Sequence, residues 1–136
     1  MRIIVDSNRI ISALIKDGLT RKILISKNID FYTIDYVIDE IRRYKDYIMK
    51  KSKMDEEEIE LLFDLVMQNV NIIPEEDIRK HMDKAIKIMK DIDINDSPIL
   101  ASALSFSNEG IWSEDKDLYR QDKVKIWKTT DLKRYI

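Results

Sequence analysis

Five short runs rich in β-branched and aromatic residues punctuate this chain: Ile3-Ile4-Val5, Phe31-Tyr32-Thr33-Ile34, Val70-Asn71-Ile72-Ile73, Ile111-Trp112-Ser113 and Val124-Lys125-Ile126-Trp127. Each is long enough for a strand and too short for a helix. Between them the apolar residues change period. Ile10, Ile11, Leu14 and Ile15 recur at helical spacing after the capping residues Asp6-Ser7-Asn8. Thr20 is read as the cap of a short helix with Ile23 and Leu24. Asp35 opens a helix with Val37, Ile38, Ile41, Tyr44 and Ile48 on its inner side. Asp55 caps one with Ile59, Leu62, Phe63 and Val66 inward. A helix from about Glu76 carries Ile78, Met82, Ala85, Ile86 and Met89, and Asp96-Ser97-Pro98 starts another. Short strands alternating with amphipathic helices predict a three-layer α/β/α fold with an open, mostly parallel sheet of about five strands. The length of 136 residues suits one domain over residues 1–136, and 44% hydrophobic residues suffice for one core.

Composition removes several chemistries. The chain has no cysteine and one histidine, His81. A thiolate zinc site, a disulfide framework and a cysteine nucleophile are excluded, and a histidine-based triad or metal site would rest on His81 alone. The only two glycines, Gly18 and Gly110, stand far apart, so no glycine-rich phosphate loop can form. No apolar run is long enough to span a bilayer, and the run after Met1-Arg2 is too short for a secretory signal. The expectation is a cytoplasmic protein that starts at Met1 and has no membrane partner. The formal charge of −2 does not decide for or against nucleic acid, because local patches matter more than the sum.

In an open parallel sheet, ligands bind outside the carboxyl ends of the strands. The residues there are acidic. Asp6 follows the first strand. Glu114, Asp115 and Asp117 follow the fourth. Asp96 begins a helix, with Asp91 and Asp93 before it, and Glu40 lies on the helix after the second strand. Each has an ordinary local role available: Asp6 and Asp96 as helix caps, Asp115 and Asp117 as turn residues, Glu40 as a solvated helix position. Together they mean more. Converging carboxylates repel and raise one another's pKa, and a hard divalent cation such as Mg²⁺ or Mn²⁺ removes that cost. Such a cation can activate water and stabilise charge on a phosphate oxygen, which is metal-dependent nuclease chemistry.

Four segments in order resemble the motifs of PIN domains. Val5-Asp6-Ser7-Asn8-Arg9-Ile10 resembles their opening strand, Asp and helix. Val37-Ile38-Asp39-Glu40-Ile41 is similar to the second motif, with its Glu on a helix. Asp93-Ile94-Asn95-Asp96-Ser97-Pro98 with its Ala-rich continuation resembles the third, and Trp112-Ser113-Glu114-Asp115-Lys116-Asp117-Leu118 the fourth. The resemblance spans nearly the whole chain. It implies a Rossmann-like parallel sheet and an Mg²⁺- or Mn²⁺-dependent ribonuclease leaving a 5′-phosphate and a 3′-hydroxyl. By position it implies catalytic roles for Asp6, Glu40, Asp96 and Asp115. Asp6, Asp96 and Asp115 would hold metal, with Asp117 a further ligand and Asp93 a competitor for the third position. Glu40 would position or deprotonate the attacking water, or ligate a second cation. Ser7 or Asn8 would hold Asp6 or the substrate. Glu114 departs from the family pattern, as a further ligand or a solvated side chain. Many stand-alone PIN proteins of this size are VapC-type toxins neutralised by a small antitoxin, which makes such a protein an expected partner beside RNA.

Arg42, Arg43, Lys45, Lys50, Lys51 and Lys53 gather after Glu40. With Ile41, Tyr44 and Ile48 facing inward, these cations project outward beside the site. Arg42, Arg43 and Lys45 are the expected phosphate contacts, against an ordinary solvated helix face. The apolar residues Tyr44, Tyr47, Ile48, Met49, Leu62, Phe63 and Met67 exceed one small core and predict a homodimer. Two other functions compete. One is an inactive RNA-binding or scaffolding PIN domain. The other is a receiver-like phospho-acceptor domain, which needs an acceptor Asp after the third strand, where this chain has Pro74-Glu75-Glu76-Asp77.

Overall fold

The computed structural model describes residues 1–136. Its strands are β1 (Arg2–Val5), β2 (Asp30–Thr33), β3 (Val70–Ile72), β4 (Ile111–Trp112) and β5 (Ile126–Trp127). All pairings are parallel, in the order β3-β2-β1-β4-β5. The chain builds outward from β1 to β3, then returns to lay β4 on the other side of β1. That reversal leaves a crevice at the carboxyl ends of β1 and β4. A receiver domain has the order 2-1-3-4-5, and here β3 is an edge strand. The receiver-like alternative is therefore wrong: its acceptor position would lie at the sheet margin, away from the crevice.

The helices are α1 (Ser7–Ile15), α2 (Leu19–Ile25), α3 (Asp35–Arg43), α4 (Lys45–Ser52), α5 (Glu56–Met67), α6 (Glu75–Arg79), α7 (Met82–Met89), α8 (Ser97–Leu104) and α9 (Thr129–Leu132). They cover both faces of the sheet, as a fully parallel sheet requires, since its strands are apolar on both sides. Ile3, Ile4, Val5, Phe31, Ile111 and Trp112 have no exposed surface. Trp112 packs on Phe31 with ring centroids 5.7 Å apart. Its indole N–H is satisfied by Thr129 Oγ1 at 3.1 Å.

Two helices expected to be continuous are broken. The segment after Asp35 divides at Tyr44 (φ −92°, ψ 11°), whose N–H bonds back to Glu40 and Ile41 in a tightened last turn. The bend keeps α3 and α4 both against α1. Ile41 and Ile48 are buried, and Tyr44, expected on the inner side, is 48% exposed. The segment from Glu75 divides before His81, which is half-buried at the start of α7. Thr20 lies inside α2 rather than capping it, because Gly18 takes the cap position. Asp55 does cap α5, in a reciprocal capping box with Glu58.

Gly110 leads into β4 with φ +123°, and a Cβ there would stand 2.2 Å from the carbonyl oxygen of Lys125. The same carbonyl accepts the Ile111 N–H at 2.9 Å, and Gly110 O accepts from Ile4 at 2.9 Å. No side chain fits without parting β4 from β5. Gly110→Ala is expected to lower unfolding free energy by at least about 2 kcal/mol, measured by urea denaturation.

Candidate active site

β1 and β4 pair with Val5 opposite Trp112. The next residue on each strand is polar, Asp6 and Ser113, and both lie at the crevice. The Asp6 N–H continues the ladder to Trp112 O at 3.1 Å, so the backbone of Asp6 is anchored by the sheet. Its side chain caps α1, with Oδ1 accepting the Ser7 N–H at 2.8 Å. Oδ2 accepts from Ser113 Oγ at 2.7 Å and from Asn8 Nδ2 at 3.4 Å. Asn8 also donates to Ser113 Oγ, and its Oδ1 accepts from Arg9 Nε at 2.9 Å and the Glu114 N–H at 3.3 Å. Asn8 is thereby fully engaged in holding Asp6 and the β4 loop. Ser7 Oγ donates to Glu40 Oε1, tying the start of α1 to α3.

After β4 the chain turns sharply. Ser113 Oγ accepts the Asp115 N–H at 3.0 Å, and Asp115 Oδ1 accepts the Asp117 N–H at 2.9 Å. Asp93 makes the same local turn, accepting the Asn95 N–H at 3.0 Å. Asp96 differs. It stands at the cap position of α8, yet its side chain makes no capping bond. Its Oδ2 is buried with no hydrogen-bond donor, as is the neighbouring Ser97 Oγ. The capping role expected for Asp96 is therefore not taken up, and its carboxylate is left for something else.

Asp6, Glu40, Asp96 and Asp115 line one open cleft of about 840 Å³, with Asp93 and Asn95. Five carboxylates thus share this cleft with one cation, Lys16. Asp93, Asp96 and Asp117 each present one carboxylate oxygen within 4.8 Å of the others. Burial, then the neighbouring carboxyl of Asp115 and the charges of Asp93 and Asp6, push Asp96 up from 3.8 to about 8. Burial also raises Asp6, against the lowering effect of its Ser113 and Ser7 hydrogen bonds, with Glu40 and Asp115 adding repulsion. An all-oxygen set with a buried acceptor lacking a donor fits a hard divalent cation.

The remaining expected residues lie elsewhere. Glu114 is drawn away from the acids, 3.8 Å from Arg9 Nη1 and accepting from Thr129 Oγ1 at 3.1 Å. It stays largely exposed and links α1 to α9. Arg42 faces Asp39 at 3.8 Å, and Lys45 pairs with Glu56. Both border a separate cavity of about 490 Å³ between α3, α4 and α5. Ser113 and Lys16 were not singled out from sequence. Ser113 had a signal, as the hydroxyl residue opening Ser-x-Asp-x-Asp. Lys16 had none, since only the direction of α1 brings its end to the cleft.

The family model of the PIN domain matches residues 4–136. Searches of curated proteins and of solved structures give no match.

A carboxyl that keeps its proton up to about pH 8 in the fold, against 3.8 when free, stabilises the native state fully below pH 3.8 and loses that contribution as pH rises through 8. The metal-free protein is expected to lose thermal stability progressively between about pH 4 and pH 8 and to change little above that. Asp96→Asn should flatten that loss, and a divalent cation should remove most of it, as read by thermal denaturation with and without chelator.

Proposed function

Because the chain belongs to the PIN domain family, whose members are generally nucleases, we propose that it is a divalent-metal-dependent endoribonuclease acting at the acidic cleft. The observation that carries this reading is Asp96: a buried carboxylate oxygen without a donor, in a group of three carboxylates spaced to share one cation. An inactive scaffold has no use for that arrangement, because unneutralised acids cost stability.

Asp96, with Asp93 and Asp117 on one side and Asp6 and Asp115 on the other, would hold the cation. Bound Mg²⁺ or Mn²⁺ supplies Lewis-acid chemistry, lowering the pKa of a water and offsetting charge on a phosphate oxygen. Glu40, oriented by Ser7 Oγ, accepts the proton of the attacking water. Ser113 and Asn8 position Asp6. Lys16 offers the one positive side chain lining the cleft to the substrate phosphate. Water attack on phosphorus with departure of the 3′ oxygen leaves a 5′-phosphate and a 3′-hydroxyl.

Purified protein is expected to cleave RNA with Mg²⁺ or Mn²⁺ and to stop in chelator. Asp6→Asn and Asp96→Asn should each lower the rate by about 10²-fold or more while keeping or raising thermal stability. Full cleavage in chelator, or unaltered rates in both variants, would refute the assignment.

We also propose a homodimer, on a face different from the one anticipated. Ile48 is buried, and Met49, Leu62, Phe63 and Met67 pack against the core. Leu61 and Leu65, one turn apart on α5, are 65% and 48% exposed instead. Sedimentation is expected to give a dimer, and Leu61→Lys with Leu65→Lys to give a monomer.

A further inference from the structure

The segment α3–α4 carries two stripes. Val37, Ile41 and Ile48 form the buried one. Tyr36, Glu40, Tyr44 and Tyr47, spaced by four, four and three residues, form the other, and all four line the acidic cleft. A helix brings positions so spaced onto one face, and the bend at Tyr44 does not interrupt this stripe: Ile48 N–H still reaches Tyr44 O at 2.9 Å. The three rings are 44%, 48% and 48% exposed. Large aromatic side chains left bare at the rim of a cleft, in line with Glu40, call for an occupant with flat apolar faces.

The surrounding charges narrow that occupant. The Arg43 guanidinium lies 5.7 Å from the centre of the Tyr36 ring, and the Lys51 ammonium 5.9 Å from that of Tyr47. Tyr44 and Tyr47 meet edge to face, centroids 6.3 Å apart, which leaves ring surface uncovered. Aromatic rings interleaved with cations match a strand of nucleotides, whose bases stack and whose phosphates need positive partners. Bases within a duplex are already stacked on one another and present no free face.

We propose that Tyr36, Tyr44 and Tyr47, along α3–α4, are a stacking platform on which successive unpaired nucleotides lie as the strand enters the cleft. The proposal rests on the nuclease reading for the identity of the strand. It adds what selects that strand. The tyrosines bind bases, Arg43 and Lys51 meet the flanking phosphates, and the same stripe delivers Glu40 to the phosphodiester. Tyr36 also lines a second cavity of about 380 Å³, between α3 and α6, so it divides the cleft from that neighbouring hollow.

The test is direct binding, kept apart from cleavage. A labelled oligoribonucleotide is titrated with the protein in chelator and followed by fluorescence anisotropy, as an unpaired strand, as a duplex, and as the same sequence in DNA. The unpaired RNA is expected to bind more tightly than the duplex. Tyr36→Ala, Tyr44→Ala and Tyr47→Ala should each weaken it by about 5- to 100-fold. The Tyr→Phe variants should retain binding, because stacking uses the ring and not the hydroxyl. With Mg²⁺, the alanine variants should raise KM more than they lower kcat. Unchanged binding in all three alanine variants, or equal affinity for duplex, overturns the platform. So does a face whose alanine variants dissolve a dimer and leave RNA binding intact, which would assign it to a second copy. Tighter binding to single-stranded DNA than to RNA overturns the assignment of the strand. Tyrosine-dependent binding without any cleavage by the wild-type protein would instead refute the nuclease reading and leave the platform standing.

Discussion

Mutual repulsion of carboxylates is the constraint around which this molecule is arranged. Five acidic side chains face one cleft, and in water such a cluster would spread apart. Here four of the five are held in place by hydrogen bonds. Asp6 is fixed by the β1–β4 ladder and by the hydroxyl of Ser113. Asp115 and Asp93 are clamped by hydrogen bonds to amides two residues ahead. Glu40 is held by Ser7. Asp96 alone has no donor for its buried oxygen, and burial, with repulsion from Asp115, Asp93 and Asp6 added, raises its pKa furthest. Val5, Trp112 and Leu100, on the elements that lead into or out of these acids, are wholly buried in the close-packed core.

Open parallel sheets can meet a phosphate at the switch point with glycine-rich backbone and a helix N-terminus, whose amides bind the anion directly. This chain lacks the glycines for it, and the first amide of α1 is already taken by Asp6. At the end of β1 an acid, Asp6, occupies the place an anion would otherwise take. Lys16 is the one cation lining the cleft, while Arg9 lies beside Glu114, Arg42 beside Asp39 and Lys45 beside Glu56.

The α3–α4 segment illustrates how one sequence serves two readers. Its buried stripe and its cleft stripe differ by a rotation of about 100°, one residue step. Sequence periodicity detects a stripe of large apolar residues but does not say which of two adjacent stripes is inward when both contain them. Tyr44 falls between Ile41 and Ile48 in spacing and was assigned to the core. Tyr44 instead continues the stripe of Tyr36 and Glu40 and lines the cleft. The acids after β4 were easier to read, because strand ends in a parallel sheet have one destination.

The fold class, the parallel sheet, the list of acids and the exclusion of thiol and glycine-loop chemistry are legible in the sequence, which leaves any histidine chemistry to His81 alone. These follow from local periodicity, from residue types present or absent, and from the ends of elements, all of which are properties of short stretches of chain. The strand order that rules out a receiver fold, the contact of Glu114 with Arg9, the position of Lys16 in the cleft and the exposure of Tyr44 emerge from the three-dimensional packing. It also decided that Asp96, a good capping residue by type, would be left without a donor. Each of these depends on how distant elements are oriented against one another. Side-chain direction is set by packing over the whole core, and no local stretch encodes it.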